Sequence, residues 1–239
     1  MKTLSIFFVT VAFMLASCKK ETPNPANSNC LLQSITSSDN SYIEKINYDG
    51  NNQVISVELT GSNYTSLVPT KDASNRVYKV DYYNGSSQSL ETVAQFDGSN
   101  RISLVSYYQQ GTLVGYDAWT YISGNRPSVE KQYSINNGNT YLSATLNYTY
   151  DSKGNVLSNG STTYTYDDKQ CATRALDFLP VVIARNQNNI TSQTTPGGPS
   201  GTSSLTSTFT YDSNGNPTQR KDIDNFGVST VYNYVFQCY

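Results

Sequence analysis

The sequence predicts an all-β protein, an antiparallel β-meander of repeated hairpins, curled into an open sheet or a partly closed barrel. Three observations carry that expectation. A turn built on an aromatic residue and an aspartate recurs at a spacing of about 25 residues, and a fixed spacing of that size means one supersecondary unit used repeatedly. Between the turns the chain alternates with period two, as in Leu146-Asn147-Tyr148-Thr149-Tyr150 and Tyr232-Asn233-Tyr234-Val235-Phe236, which gives strands with two distinct faces. The alternating positions are filled by Tyr, Thr and Val, residues that suit a pleated surface.

The chain opens on an export signal. Lys2 supplies the positive start, Leu4 to Leu15 is apolar apart from Ser5 and Thr10, and Leu15-Ala16-Ser17-Cys18 matches the lipobox of bacterial lipoproteins. Residues 1–17 therefore read as a signal peptide, with lipid on Cys18 as the expected membrane attachment and the outer membrane as the expected location, facing the periplasm or the exterior. Residues 18–29 carry two prolines and no large apolar side chain after the cysteine, and read as a flexible tether. A single domain, residues 30–239, follows.

Within it the motif runs aromatic, Asp, a Gly/Asn/Ser turn, a polar or basic residue, then an apolar one. It reads Tyr48-Asp49-Gly50-Asn51-Asn52-Gln53-Val54, Phe96-Asp97-Gly98-Ser99-Asn100-Arg101-Ile102, Tyr150-Asp151-Ser152-Lys153-Gly154-Asn155-Val156 and Tyr211-Asp212-Ser213-Asn214-Gly215-Asn216-Pro217. Degenerate copies begin at Lys71 and Tyr121, and Tyr166-Asp167-Asp168 starts an altered one. The Asp-x-x-Gly-Asn clusters supply the positive-φ residues and Asx-turns that reverse a chain. Two strands per repeat give about twelve to fourteen strands. Ala172 to Ile183 reads as a short helix or turn, and Thr191 to Ser204, rich in Ser, Thr, Gly and Pro, as an exposed, mobile loop.

The Tyr-Asp copies resemble the YD repeats of Rhs-type shell proteins. Together with the lipobox and the closing aromatic strand they are similar to a narrower group, lipoproteins of Bacteroides and relatives with a domain of unknown function and a porin-like fold. Tyr164-Thr165-Tyr166-Asp167-Asp168-Lys169, followed by an apolar stretch and Asn186 to Thr191, is similar to that group's late insertion. The resemblance implies a curled antiparallel meander and assigns no activity. It does not imply a pore, because neither strand face is consistently rich in Leu, Val and Ile, as an inserted barrel requires.

Composition narrows the chemistry. The chain has 16 Lys and Arg against 18 Asp and Glu and no basic run beyond Lys19-Lys20, which argues against nucleic acid as a partner. It contains no histidine, removing the commonest general base and zinc ligand. No cofactor or metal is expected. The repeated aspartates could bind calcium, but turn formation explains them without a metal. Cys30, Cys171 and Cys238 remain besides Cys18, and a Cys30–Cys238 bridge stands beside two other pairings or free thiols.

Tyrosine is the unusual residue, at 20 of 239, with 8 Phe and one Trp. Tyrosines along a sheet face, flanked by Asn, Gln and Thr, make a stacking and hydrogen-bonding surface suited to sugars or extended peptides. Trp119, with Tyr116 and Tyr121 beside it, is the candidate exposed contact. The function expected is non-catalytic binding of a glycan or surface polymer. A structural or assembly role against another polypeptide is the alternative. A carboxylate-dependent hydrolase stands third, requiring buried, convergent carboxylates where four Glu after the tether (Glu44, Glu58, Glu91, Glu130) give little to choose from.

Overall fold

The computed structural model describes residues 30–171, 186–198 and 201–238. The signal peptide, Cys18, the tether and the Ala172–Ile183 stretch lie outside the described residues. Sixteen strands are described. The first eight are β1 (Cys30–Ser37), β2 (Ile43–Tyr48), β3 (Val54–Thr60), β4 (Ser66–Lys71), β5 (Val77–Asn84), β6 (Ser87–Phe96), β7 (Ile102–Gln109) and β8 (Thr112–Ser123). They are followed by β9 (Arg126–Asn136), β10 (Asn139–Tyr150), β11 (Val156–Asn159), β12 (Thr162–Gln170), β13 (Asn188–Gly198), β14 (Gly201–Tyr211), β15 (Pro217–Asp224) and β16 (Ser229–Cys238). Each pairs antiparallel with its neighbours in sequence, and β1 pairs with β16, so the meander closes into a barrel.

Closure exceeds the expected curled or partly closed sheet, and the strand number exceeds the twelve to fourteen expected from the repeat. Part of the excess comes from Thr191 to Ser204. Instead of the expected loop, Thr191–Gly198 continues β13 and Gly201–Ser204 opens β14, with Thr194 opposite Ser204 and Gln193 opposite Leu205. Threonine is β-branched and pairs well on a pleated surface, so a stretch with no core-forming residue still extends a hairpin whose far ends pack on its neighbours.

Five Asp turns at one rim of the barrel share one structure. In the copies at Asp49, Asp72, Asp97, Asp151 and Asp212 the aspartate N–H donates to the carbonyl four residues on, at 2.8 to 2.9 Å, and its carbonyl accepts the N–H three residues on. Its Oδ1 accepts the N–H four residues on as well, at 2.8 to 3.0 Å. The residue three along has positive φ, between 60° and 94° across the five copies, which only Asn or Gly tolerates readily: Asn52, Asn75, Asn100, Gly154 and Gly215. The motif aromatic then locks the hairpin to the strand before it. Tyr48, Tyr121, Tyr150 and Tyr166 each donate a hydroxyl hydrogen bond to a carbonyl there, of Leu32, Ile102, Pro127 and Val156, at 2.5 to 2.7 Å. Arg76 and Arg101 pair with their own turn aspartates (2.6 and 2.7 Å) and stack on the next copy's aromatic, Phe96 and Tyr121 (4.1 and 4.4 Å).

The altered copy keeps this geometry around an insertion. The Asp167 Oδ1 accepts Lys169 N–H, as in an ordinary turn, and also Asn189 N–H at 3.1 Å, from 22 residues along the chain instead of four. The Asn189 side chain donates to Asp167 Oδ2, as Asn155 and Asn216 do to Asp151 and Asp212. The two ends of the insertion are buried: Cys171 at its start, Asn186, Asn188 and Asn189 at its finish.

Alternation sorts the barrel wall into two surfaces. Leu32, Ile35, Ile46, Val57, Leu59, Leu67, Val80, Tyr82 and Tyr234, from β1 to β5 and β16, form one buried inward cluster. Ala94, Val105 and Trp119 form a second, on β6 to β8. The alternate positions face out and are mostly polar, with Lys45, Glu58, Thr120, Thr145, Asn147, Thr149, Thr208 and Lys221 exposed and Leu142, Leu157 and Val235 among the apolar exceptions. This is the reverse of a transmembrane barrel, which carries its apolar band outside. The seam between β1 and β16 is closed by seven residue pairs and by a disulfide between Cys30 and Cys238, which resolves the cysteine pairing left open by the sequence.

Candidate functional site

Strand β8 separates the three expected contact residues. Trp119 and Tyr121 are two apart and share the inner face; Tyr116 points outward. Trp119 is only 7% exposed and packs with Ala94 and Val105, which corrects the expectation of an exposed contact there. Tyr121 donates to the Ile102 carbonyl under the Arg101 guanidinium, so it belongs to the repeat's own lock. The physical reason is the barrel itself: an inward indole fills core volume, and period two puts it on the opposite side from Tyr116.

Beside Trp119 the inner wall becomes polar. Asp117 faces Gln132 across the β8–β9 pair and Trp119 faces Glu130, so the two carboxyls are diagonal neighbours. Tyr107 donates its hydroxyl to Asp117 Oδ2 at 2.5 Å. Tyr148 and the Gln132 amide (2.6 Å) both donate to Glu130. Burial pushes the Asp117 carboxyl up to about 7; the Tyr107 hydroxyl opposes that and the neighbouring Glu130 adds to it. Burial, then the carboxylate each one faces, holds the Tyr107 and Tyr148 hydroxyls well above the usual phenol range. These tyrosines are therefore fixed donors. The two carboxyls are neighbours, Glu130 buried at 7% exposure and Asp117 half-buried, and each is already engaged by protein donors.

A second polar group lies near the seam. Arg220 on β15 pairs with Asp222 at 3.1 Å and stacks on Tyr232 at 4.5 Å, while Ser207 donates to Asp222 at 2.7 Å. Glu44 on β2 is pushed up to about 7 by burial, against the opposing pull of the Tyr42 hydroxyl and Arg220.

On the outer wall the register draws a straight row across five strands: Val93, Ser106, Tyr116, Tyr133 and Leu142, each directly opposite the next. Tyr116 and Tyr133 stack with ring centroids 4.6 Å apart and planes at 21°, both half-buried, and Leu142 at the row's end is 56% exposed. The next row runs Gln95, Leu104, Ala118, Lys131 and Thr145, and Thr120 and Asn147 continue the polar border. An aromatic centre with a polar border on a water-facing wall suits a flat ligand with both apolar and hydroxyl faces. Of the expected contacts only Tyr116 belongs to it. Tyr133, Leu142 and Lys131 escaped the sequence reading; the signal that could have found them is the Asn137-Gly138 hairpin, which sets β10 against β9.

The sequence matches no protein-family model and no curated protein. Among solved structures the chain is similar to a porin-like protein from Bacteroides vulgatus ATCC 8482, at 11% identity and TM-score 0.47, over 86% of this chain and 98% of that one. A porin-like protein from Bacteroides uniformis ATCC 8492 is similar at 10% identity and TM-score 0.45, over 93% and 100%. The Photorhabdus luminescens Tc holotoxin pore is similar at 17% identity and TM-score 0.34, over 87% of this chain but 9% of that one. All three scores lie below 0.5, so the barrel described above rests on this chain's own strand pairing.

Proposed function

We propose that this chain is a lipid-anchored envelope protein whose water-facing barrel binds a glycan or surface polymer on the outer wall of β7 to β10, without catalysis. The observation that carries the reading is the Tyr116–Tyr133 stack, two aromatic rings face to face on an outer wall that also carries Ser106, Thr120, Lys131, Thr145 and Asn147 among smaller apolar residues. The polar outer surface supports a barrel that stays in water, with lipid on Cys18 as its only membrane attachment.

Two measurements test this. Metabolic labelling with a fatty-acid analogue marks the wild-type chain and not Cys18→Ser; equal labelling of both removes the anchor. Titration calorimetry of the full-length protein against a panel of soluble polysaccharides gives saturable binding that Tyr116→Ala and Tyr133→Ala each weaken at least about tenfold. No heat from any member of the panel, or binding indifferent to both substitutions, removes the glycan reading.

A second reading, a structural or assembly role against another polypeptide, has its own observation. The Asp224 turn repeats the geometry of the other Asp turns at the opposite rim, with Phe226 (73% exposed) and Val228 (62% exposed) where the others carry polar residues.

A further inference from the structure

Resting on the glycan-binding reading, we propose that the outer platform takes an acidic saccharide: Tyr116 and Tyr133 stack on the sugar ring and the Lys131 ammonium pairs with its carboxylate. Lys131 lies two residues from Tyr133 on the same outward face, about 7 Å along the strand. Across the strands it faces Ala118 on one side and Thr145 on the other, both too small to roof it, and it is exposed.

Lys131 and Lys221 are both exposed and make no ion pair among the described residues, and of the two only Lys131 stands beside the tyrosine stack. Lys79, which faces Val93 across β5 and β6, is tied to Asp81 at 2.9 Å and Glu91 at 3.4 Å. Lys45 pairs with Glu58, and Arg76, Arg101 and Arg220 each pair with an aspartate. Lys131 makes no ion pair or side-chain hydrogen bond among the described residues. No carboxylate stands in either outer row from β6 to β10, since Asp117 and Glu130 point inward. The platform therefore presents one uncompensated positive charge beside two stacked rings. A neutral sugar would use the rings alone; a uronic acid would use both.

The test compares polygalacturonate with a neutral glucan of similar length, titrated into the full-length protein and into Lys131→Gln, which alters only an exposed side chain. The wild type binds the polyuronate more tightly than the glucan. Lys131→Gln weakens the polyuronate about fivefold, leaves the glucan unchanged, and removes most of the salt dependence. Equal affinity of the wild type and Lys131→Gln for the polyuronate overturns the proposal while the Tyr116-dependent platform stands. Failure of both polymers to bind, or indifference to Tyr116→Ala, overturns the platform and the proposal together. Tighter binding of single-stranded oligothymidylate than of the polyuronate overturns it in favour of nucleic acid, whose bases also stack on tyrosine.

Discussion

At the turns, the Asp72 and Asp97 carboxylates face water and are held ionised by Arg76 and Arg101, whereas behind the wall the half-buried Asp117 and the buried Glu44 keep their protons up to about pH 7. The chemical group is the same; the surroundings set its charge. A turn carboxylate accepts backbone N–H groups that would otherwise lack partners, and ionisation strengthens each of those bonds. An interior carboxyl gains nothing from ionisation that offsets the loss of water, so it stays neutral and accepts from tyrosine. The same sequence letter thus closes hairpins at one place and fills a polar gap in the core at another.

The largest expected effect is on pH dependence. Glu44 and Asp117 bind protons more tightly folded than unfolded. Their contribution is complete below about pH 4 and is lost as the pH rises to about 7, by up to about 1.4 kcal/mol per pH unit for each group. Asp72, Asp97, Asp151 and Asp212 have the opposite sign: their contribution is present above about pH 4 and is lost as the pH falls through their lowered values. Urea unfolding across pH 3 to 8 should therefore show greatest stability near pH 4, with Asp117→Asn flattening the fall above it. An unchanged slope in Asp117→Asn would place that carboxyl in water.

Next in size is a pair of asparagines in one turn position. Asn155 is 1% exposed; its carbonyl accepts Gln187 and Asn188 N–H, and its amide donates to Asp151 and Asn188. Asn216, in the equivalent place, makes one side-chain bond, to Asp212. Asn155→Ala should cost about 3 kcal/mol and Asn216→Ala about 1 kcal/mol; equal costs would erase the difference between a turn facing solvent and one clamping the buried ends of the insertion.

Smaller still, Gly215→Ala places a Cβ at φ 80° and should cost about 1 kcal/mol. Smallest, Asn75→Gly, at φ 61°, should change stability by only a few tenths of a kcal/mol, because either residue accepts the left-handed turn.

Much of this was legible in the sequence. Tyr-Asp followed by Asn or Gly three residues on fixes a turn by local hydrogen bonds alone, so the copies at 48, 96, 150 and 211 could be read, and Tyr166-Asp167 recognised as altered. Closure was not legible, because the β1–β16 pairing joins Cys30 to Cys238 and no local pattern encodes it. Nor was the inward side of β8. Tyrosine occupies both faces of this barrel, Tyr116 outside and Tyr121 inside, so alternation separates the faces without saying which is dry. The strands at Thr191 to Ser204 were hidden for a related reason: their pairing depends on neighbours already in place, and the segment's own composition is that of a loop.

The inner wall is dry and the outer wall wet, and Trp119 reports on this directly as the single tryptophan of the chain. Iodide quenching of the full-length protein should leave its emission blue-shifted and almost untouched in the native state, with or without added lipid vesicles, and quench it fully in urea. Quenching as strong in the native state as in urea would contradict the account, since it would put the face shared by Trp119, Val105 and Ala94 in water.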